Sequence, residues 1–239
     1  MTSDRDNATV SVHIVTLRLR QAWRAPMQVR IGRRLGGAPD VRFAVCGRTS
    51  GGRGLRRINR TLSLRRIIVV AEWASSDAAI EGRRSVDTSW QRMADVWSAL
   101  LVPMQSKGTF NGVAAFAANR ALPDTGVTAS LTYAQIRPSK MWNFYVRSFP
   151  KTARRATNPD SAMLAGVGFG DVPVRHACTF SLWPSNADVA RFAYSRRDVH
   201  GPVQAQSRHD DWLSESLFAR FAVIEHGGTW SGRDPLAPN

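Results

Sequence analysis

The sequence predicts an α+β fold in which two ferredoxin-like halves form a dimeric α+β barrel within one chain. Three observations predict it. Short motifs recur at an offset near 120 residues, each half reads β-α-β-β-α with a final β element, and β-branched apolar runs open both halves.

Laid over each other, Gly108-Thr109-Phe110-Asn111-Gly112 meets Gly228-Thr229-Trp230-Ser231-Gly232, and Ala44-Val45-Cys46-Gly47 meets Ala165-Gly166-Val167-Gly168. At a slightly shorter offset, Glu72-Trp73-Ala74-Ser75 meets Leu182-Trp183-Pro184-Ser185. An Arg- and Gly-rich stretch, 49–60, lengthens the first half and explains the slip. The common order of these matches indicates a duplication. The chain divides accordingly into a disordered tail at 1–9, a first half at 10–120 and a second half at 121–239. Neither half is an independent domain, because each sheet needs the other to cover its inner face.

The elements follow in order. Apolar, β-branched runs at 10–19 and 127–136 are strands. Helices follow at 25–35 and 140–156, the second entered through Pro138 and Ser139. Two hairpins come next, 41–46 with 64–73 and 163–169 with 176–183. Gly170-Asp171-Val172-Pro173 supplies turn residues for the second hairpin. Ser75 and Ser185 stand where helix N-caps are useful, and 188–194 is a short helix. Each half then closes with a long helix. Trp90, Met93, Ala94, Trp97, Leu100 and Leu101 share one face at three- and four-residue spacing, as do Trp212, Leu213, Leu217, Phe218 and Phe221.

Composition narrows the function classes. The 239 residues carry a net charge of +15, and lysine occurs only at Lys107, Lys140 and Lys151, which leaves 30 arginines. Coding bias accounts for such a skew as simply as attraction to anions does. The densest basic run, 48–66, has no RNP, helix-turn-helix or zinc-finger pattern beside it, so nucleic acid is not an expected partner. Cys46 and Cys178 form no CxxC pair, which argues against structural zinc. Residues 1–8 are polar and no stretch reaches the ~18 apolar residues of a membrane span. The expectation is a cytoplasmic protein, with peripheral membrane contact left open. The run Gly166-Val167-Gly168-Phe169-Gly170 precedes neither a helix start nor a lysine, so it is not a phosphate loop.

The C-terminal third carries a family resemblance. Gly168-Phe169-Gly170-Asp171-Val172-Pro173, His176, Thr179-Phe180-Ser181-Leu182-Trp183-Pro184, Trp212-Leu213-Ser214-Glu215-Ser216-Leu217-Phe218-Ala219-Arg220-Phe221 and Gly228-Thr229-Trp230-Ser231-Gly232-Arg233-Asp234-Pro235-Leu236 resemble, in order, the motifs of the spheroidene monooxygenases. The sequence departs from that pattern at Val199-His200-Gly201-Pro202 and at Phe218. The resemblance implies haem b, molecular oxygen as co-substrate and an electron donor such as a ferredoxin. It also implies a hydrophobic substrate, a carotenoid or another secondary metabolite, and a haem site in the second half.

The resemblance marks His200 as the haem ligand, its bland alternative being a surface-loop histidine. His176 opens a strand within the matched motif and is the second candidate ligand or a pocket residue; its plain role is a hydrogen-bonded strand residue. His209 beside Asp210 and Asp211 is a third, while His13 in the first strand and His226 in the terminal loop are poor ones. Cys178, a thiolate candidate, reads equally as a buried structural thiol. Arg220 and Arg233 offer forked donors to propionates or bound oxygen, though Arg233 with Asp234 also reads as a terminal ion pair and Glu215 with Arg220 as a pair within one helix. Trp183 and Trp212 offer flat faces to a cofactor, and equally to a core. Three rivals remain: a haem enzyme of another reaction type, such as a dehydratase or nitrogen-oxidising enzyme; a cofactor-free monooxygenase or isomerase; and a basic binding module.

Overall fold

The computed structural model describes residues 9–50, 55–58, 62–118, 126–158, 161–170, 175–194 and 211–237. The first half contains β1 (Val10–Leu17), α1 (Ala25–Arg34), β2 (Val41–Ser50), the two-residue β3 (Arg56–Arg57), β4 (Leu62–Trp73), α2 (Ser76–Gln91) and β5 (Ala94–Gly108). The second contains β6 (Thr128–Ile136), a π-helical turn (Asn143–Ser148) running into α3 (Phe149–Thr157), β7 (Ala165–Gly170), β8 (His176–Trp183), α4 (Asn186–Tyr194) and β9 (Leu213–Gly228). The tail and the Gly170–Pro173 turn predicted from sequence fall, apart from Thr9 and Gly170, outside the described residues, as do His200 and His209.

The strands run β2-β4-β1-β5-β9-β6-β8-β7-β3, and β2 also pairs with β7. Eight of them therefore close an antiparallel barrel. One joint is the long β5–β9 pairing, from Trp97 opposite Gly228 to Gly108 opposite Leu217. The other is short, only Arg48 opposite Gly170 and Thr49 opposite Phe169. Helices lie outside. Ser75 caps α2 by accepting the Ala78 amide at 3.2 Å, and Ser185 caps α4 by accepting the Asp188 amide at 3.2 Å.

The two closing helices expected from sequence are corrected. The first is helical only as α2, which ends at Gln91, and residues 94–108 are β5; the second is the strand β9. β5 is covered on two faces from Trp97 to Pro103, whereas β9 leaves Ser214 and Ser216 exposed and Phe218 half-buried on its outer side. Trp97, Ala99 and Leu101 point into the barrel while Leu100 and Val102 pack outward, so the apolar run shows no alternation and mimics helical spacing. His226 consequently lies on β9, and Glu215 and Arg220 are on a strand with odd and even positions facing opposite ways.

The duplication is visible in the backbone after β5 and β9. Gly108, Asn111 and Gly112 have φ of 95°, 50° and 78°; Gly228, Ser231 and Gly232 have 83°, 58° and 87°. The Thr109 amide donates to the Ser216 carbonyl at 3.0 Å, and the Thr229 amide to the Val96 carbonyl at 3.1 Å. These turns plug the two ends of the barrel. Phe110 stacks on Tyr133 with ring centroids 3.9 Å apart at one end, and Trp230 leans on Trp97 at 5.5 Å at the other. With Phe116, Phe180 and Phe221 also buried, the space between the sheets is a packed core.

Glycine is required at the first position of each turn. A Cβ on Gly108 would sit 2.0 Å from the Ser216 carbonyl oxygen, in a backbone conformation that side chains rarely adopt. Gly108→Ala is expected to cost about 3 kcal/mol, or roughly 6–12 °C in Tm, measured by thermal unfolding.

Candidate functional site

Two regions of the second half stand out. The first follows from the short β2–β7 joint. Below it the strands part, and Phe43, Val45, Phe169, His176 and Cys178 line a seam cavity of about 290 Å³, with Arg33 of α1 and Asn111 at its edges. His176 and Cys178 are two residues apart on β8 and so share the inward face. The His176 ring is tilted against Tyr133, centroids 5.6 Å apart.

Tyr133 connects this cavity to the turn after β5. Its hydroxyl donates to Asn111 Oδ1 at 3.0 Å and lies 3.3 Å from Glu215 Oε2. Glu215 Oε1 accepts the Thr109 hydroxyl and the Gly112 amide, each at 2.6 Å. Desolvation first, then the neighbouring Glu215 charge, push the Tyr133 phenol well above its ordinary value, so it is a neutral donor. Partial burial alone would raise the Glu215 carboxyl, but the bonds from Thr109, Gly112 and Tyr133 outweigh it and hold Glu215 below the usual carboxylate range. Glu215 was read from sequence as a partner of Arg220; it is instead the anchor of the 109–112 turn.

The second region is the outer face of the β6–β8–β7 sheet. Across it, Gly168 is opposite Thr179 and Thr179 opposite Thr132; Gly166 is opposite Ser181 and Ser181 opposite Ser130; Ala177 is opposite Ala134. Thr132 and Thr179 hydrogen-bond to each other. The matching face of the first half carries Val15, Leu17, Ile67 and Val69, all buried under α1 and α2. There α1 sits close enough for a Cβ on Gly32 to lie 2.5 Å from Cys46 Sγ. In the second half α3 packs near β3 and its Ala156 joins Trp183 at one end of the sheet, while Thr132, Ala134, Ala177 and Thr179 are only half-buried. The π-helical turn adds Tyr145, whose phenol burial pushes up to about 12, with Cys178 contributing.

The predicted site residues are distributed between these places. His176 lines the seam cavity on the inner face. Arg220 is buried on the outer side of β9, its Nη1 donating to Asn186 Oδ1 at 2.7 Å and its guanidinium 5.1 Å from the Phe218 ring. Trp183 packs with Met163, Ala156 and Val189 at one end of the outer face. Trp212 is buried just before β9. Arg233 is exposed in the turn at the far end of the barrel, and Asp234 pairs with His226 at 3.1 Å and accepts from Trp97 Nε1 at 3.1 Å. His13 is fully buried, bonded to Asp87 at 2.9 Å and Ser11 at 3.2 Å, a structural link between β1 and α2. Among the described residues, no group of three or more His, Cys, Asp and Glu side chains is arranged to hold a metal ion. Sequence reasoning missed Tyr133, which nothing local marked, Asn111, whose only signal was the Gly-Thr-Phe-Asn-Gly repeat, and the small-residue face, whose signal was the Gly-x-Gly and Thr-x-Ser alternation.

Two ferredoxin-like sheets closed edge to edge define a protein of the dimeric α+β barrel class, here within one chain. An aldoxime dehydratase solved in complex with butyraldoxime has the same fold, with a TM-score of 0.57 at 11% identity over 93% of this chain and 82% of that one. The chain belongs to the spheroidene monooxygenase family. It is 31% identical over 199 residues to the spheroidene monooxygenase of Rubrivivax gelatinosus, covering 82% of this chain and 74% of that one. The Rhodobacter capsulatus protein is 37% identical over 142 residues, 57% of this chain, and the Cereibacter sphaeroides protein 30% identical over 174 residues, 70% of this chain. The chain spans 56% and 52% of the lengths of those two relatives. No family model matches it.

Glu215→Gln should destabilise the chain near neutral pH by loosening the 109–112 turn. Because the Glu215 carboxyl is depressed on folding, its contribution is present above the ordinary carboxylate pKa and fades as pH falls through the lower folded value. Thermal unfolding of the two proteins should therefore differ at pH 7 and converge toward pH 3. A constant difference at both pH values would contradict the charge-based role.

Proposed function

We propose that the chain is a haem-dependent monooxygenase acting on a hydrophobic small molecule of the carotenoid kind, with its reaction site on the outer face of the second half. The observation that carries this is the floor of Gly, Ala, Ser and Thr side chains, in which Ala134, Ala177 and Thr179 stand where the first half has Val15, Ile67 and Val69. A planar macrocycle fits such a floor, because short side chains let a flat ring approach the sheet closely. Membership of the spheroidene monooxygenase family supports the reaction class.

Bound there, haem b would supply activation of molecular oxygen, with electrons from a donor such as a ferredoxin. The chain's own residues bind and orient. His200, in the segment joining α4 to β9, is the proposed iron ligand. Arg220 borders the floor, already oriented by Asn186, and is the proposed partner of a propionate. Trp183 walls one end of the floor and Trp212 stands before β9. The half-buried hydroxyls of Thr132 and Thr179 share one hydrogen bond, which holds both side chains low on the sheet. Arg233, at the far end of the barrel, takes no part in this reading. His176 lies on the opposite face of the sheet, and its cavity supports a second reading, a cofactor-free oxygenase working inside the seam.

An absorption spectrum of the purified chain, before and after haem addition, separates the two. The expected result is a Soret band at about one haem per chain, shifted by carbon monoxide after reduction. His200→Ala is expected to remove most of it, and a Thr132→Leu/Thr179→Leu double variant to weaken haem uptake by filling the floor while leaving Tm within a few degrees. No band from folded, haem-supplied protein would end the haem reading.

A further inference from the structure

The first half exposes an apolar face that its core does not explain. Leu19 is 75% exposed and Trp23 71%, and Met27 is exposed as well. They stand four residues apart, Leu19 and Trp23 on a 3-10 turn, Leu19–Arg24, and Met27 on α1, into which the turn runs directly. Scattered exposed apolar side chains are ordinary on protein surfaces. Three on successive turns, including a tryptophan, are not required by folding. The segment itself is basic: residues 9–39 hold six arginines and no Asp or Glu. Arg18, Arg20 and Arg30 are exposed beside them, and the Arg24 guanidinium lies 5.0 Å from the Trp23 ring.

The second half repeats this face. Trp142, 119 residues after Trp23, is 70% exposed, and Val146, 119 residues after Met27, is exposed too. Residues 126–158 again hold six basic residues and no acid, with Arg147 and Lys151 exposed. The outer sheet faces beneath these helices have diverged from branched apolar to small side chains, yet the exposed tryptophan and its basic setting stand in both halves.

We propose that this face docks on an anionic lipid bilayer surface, through Leu19, Trp23 and Met27 in the first half and, as its counterpart, Trp142 and Val146 in the second. A tryptophan ring with an apolar body and one N–H suits the layer between headgroups and acyl chains. Arginines keep their aliphatic stems against that layer while their guanidinium groups meet phosphate. Neither segment contains an acid, and although Arg137 is paired with Asp211 at 3.0 Å, Arg18, Arg20, Arg30, Arg147 and Lys151 are exposed to attract an anionic surface. A nucleic acid would use the arginines but gives no reason for aliphatic Leu19 and Met27 beside them. In the antiparallel ladder β1–β5–β9–β6, β1 and β6 run oppositely, so the two faces lie toward opposite ends of the barrel and a flat bilayer meets one at a time. The inference is independent of the proposed reaction.

Flotation of the full chain with vesicles of phosphatidylglycerol and phosphatidylcholine, against phosphatidylcholine alone, tests it. The expected result is binding to the anionic vesicles that weakens as salt rises. Leu19→Ser/Trp23→Ser should weaken it by about tenfold, and adding Trp142→Ser should remove most of the rest. Arg18→Glu/Arg20→Glu, which leaves the apolar side chains in place, should weaken it by a similar factor. All five positions are exposed or flank the helices, and unchanged melting temperatures will show that the variants fold. The proposal is overturned if the folded wild type ignores anionic vesicles, if the triple variant floats as the wild type does, or if duplex DNA is bound while vesicles are not.

Discussion

A four-stranded antiparallel sheet leaves two edges of unpaired backbone donors and acceptors. In this chain each half cancels the other's edges: β5 pairs with β9 along most of their length, and β2 meets β7 at two residues. Everything else depends on that closure. It creates one interior for the apolar residues of both halves, and it turns the loops after β5 and β9 into the two ends of a barrel. Their inward aromatic residues, Phe110 and Trp230, then have a core to enter.

The two joints are unequal, and the inequality has consequences. The long joint is held at both ends by a glycine in a left-handed conformation, where the adjoining carbonyl leaves no space for a Cβ. The short joint lets the barrel part beside Phe43 and Phe169, and the seam cavity with His176 and Cys178 results. The Glu215–Thr109–Tyr133–Asn111 network borders that opening and fixes the turn that would otherwise be free to move across it.

Duplication set the backbone, and divergence set the faces. The turn dihedrals and the serine caps agree closely between the halves, because backbone hydrogen bonding tolerates little change. The outer faces differ because side-chain volume can change without breaking a ladder. In the first half Val15, Ile67 and Val69 fill the space beneath the helices and make a core. In the second, Gly168, Thr132 and Thr179 leave the sheet low, and the helix after β6 meets it at one end, where Ala156 joins Trp183. One half thus has a filled outer core and the other a more open outer face, and the family motifs lie in the second.

The sequence by itself determined the repeat, the order of the first strands and helices in each half, the caps at Ser75 and Ser185, and the family, because these rest on local patterns: β-branched runs, turn residues and fixed motifs. It read β5 and β9 as helices for a physical reason. β5, buried on both faces, is apolar at nearly every position, and Trp97, Leu100 and Leu101 then match helical spacing as well as strand pairing; in β9, Leu213, Leu217, Phe218 and Phe221 match it although they divide between the two faces. Only the tertiary structure decided which residues share a site. Consecutive strand residues point to opposite sides of a sheet, so His176 and Thr179, neighbours in one motif, face a seam cavity and an outer floor respectively. Glu215, read as a helix partner of Arg220, is likewise turned to the other face to hold Thr109, Gly112 and Tyr133. Those contacts cross more than 80 residues of chain, and no local spacing encodes them; they exist because β5, β9 and β6 lie side by side in the closed barrel.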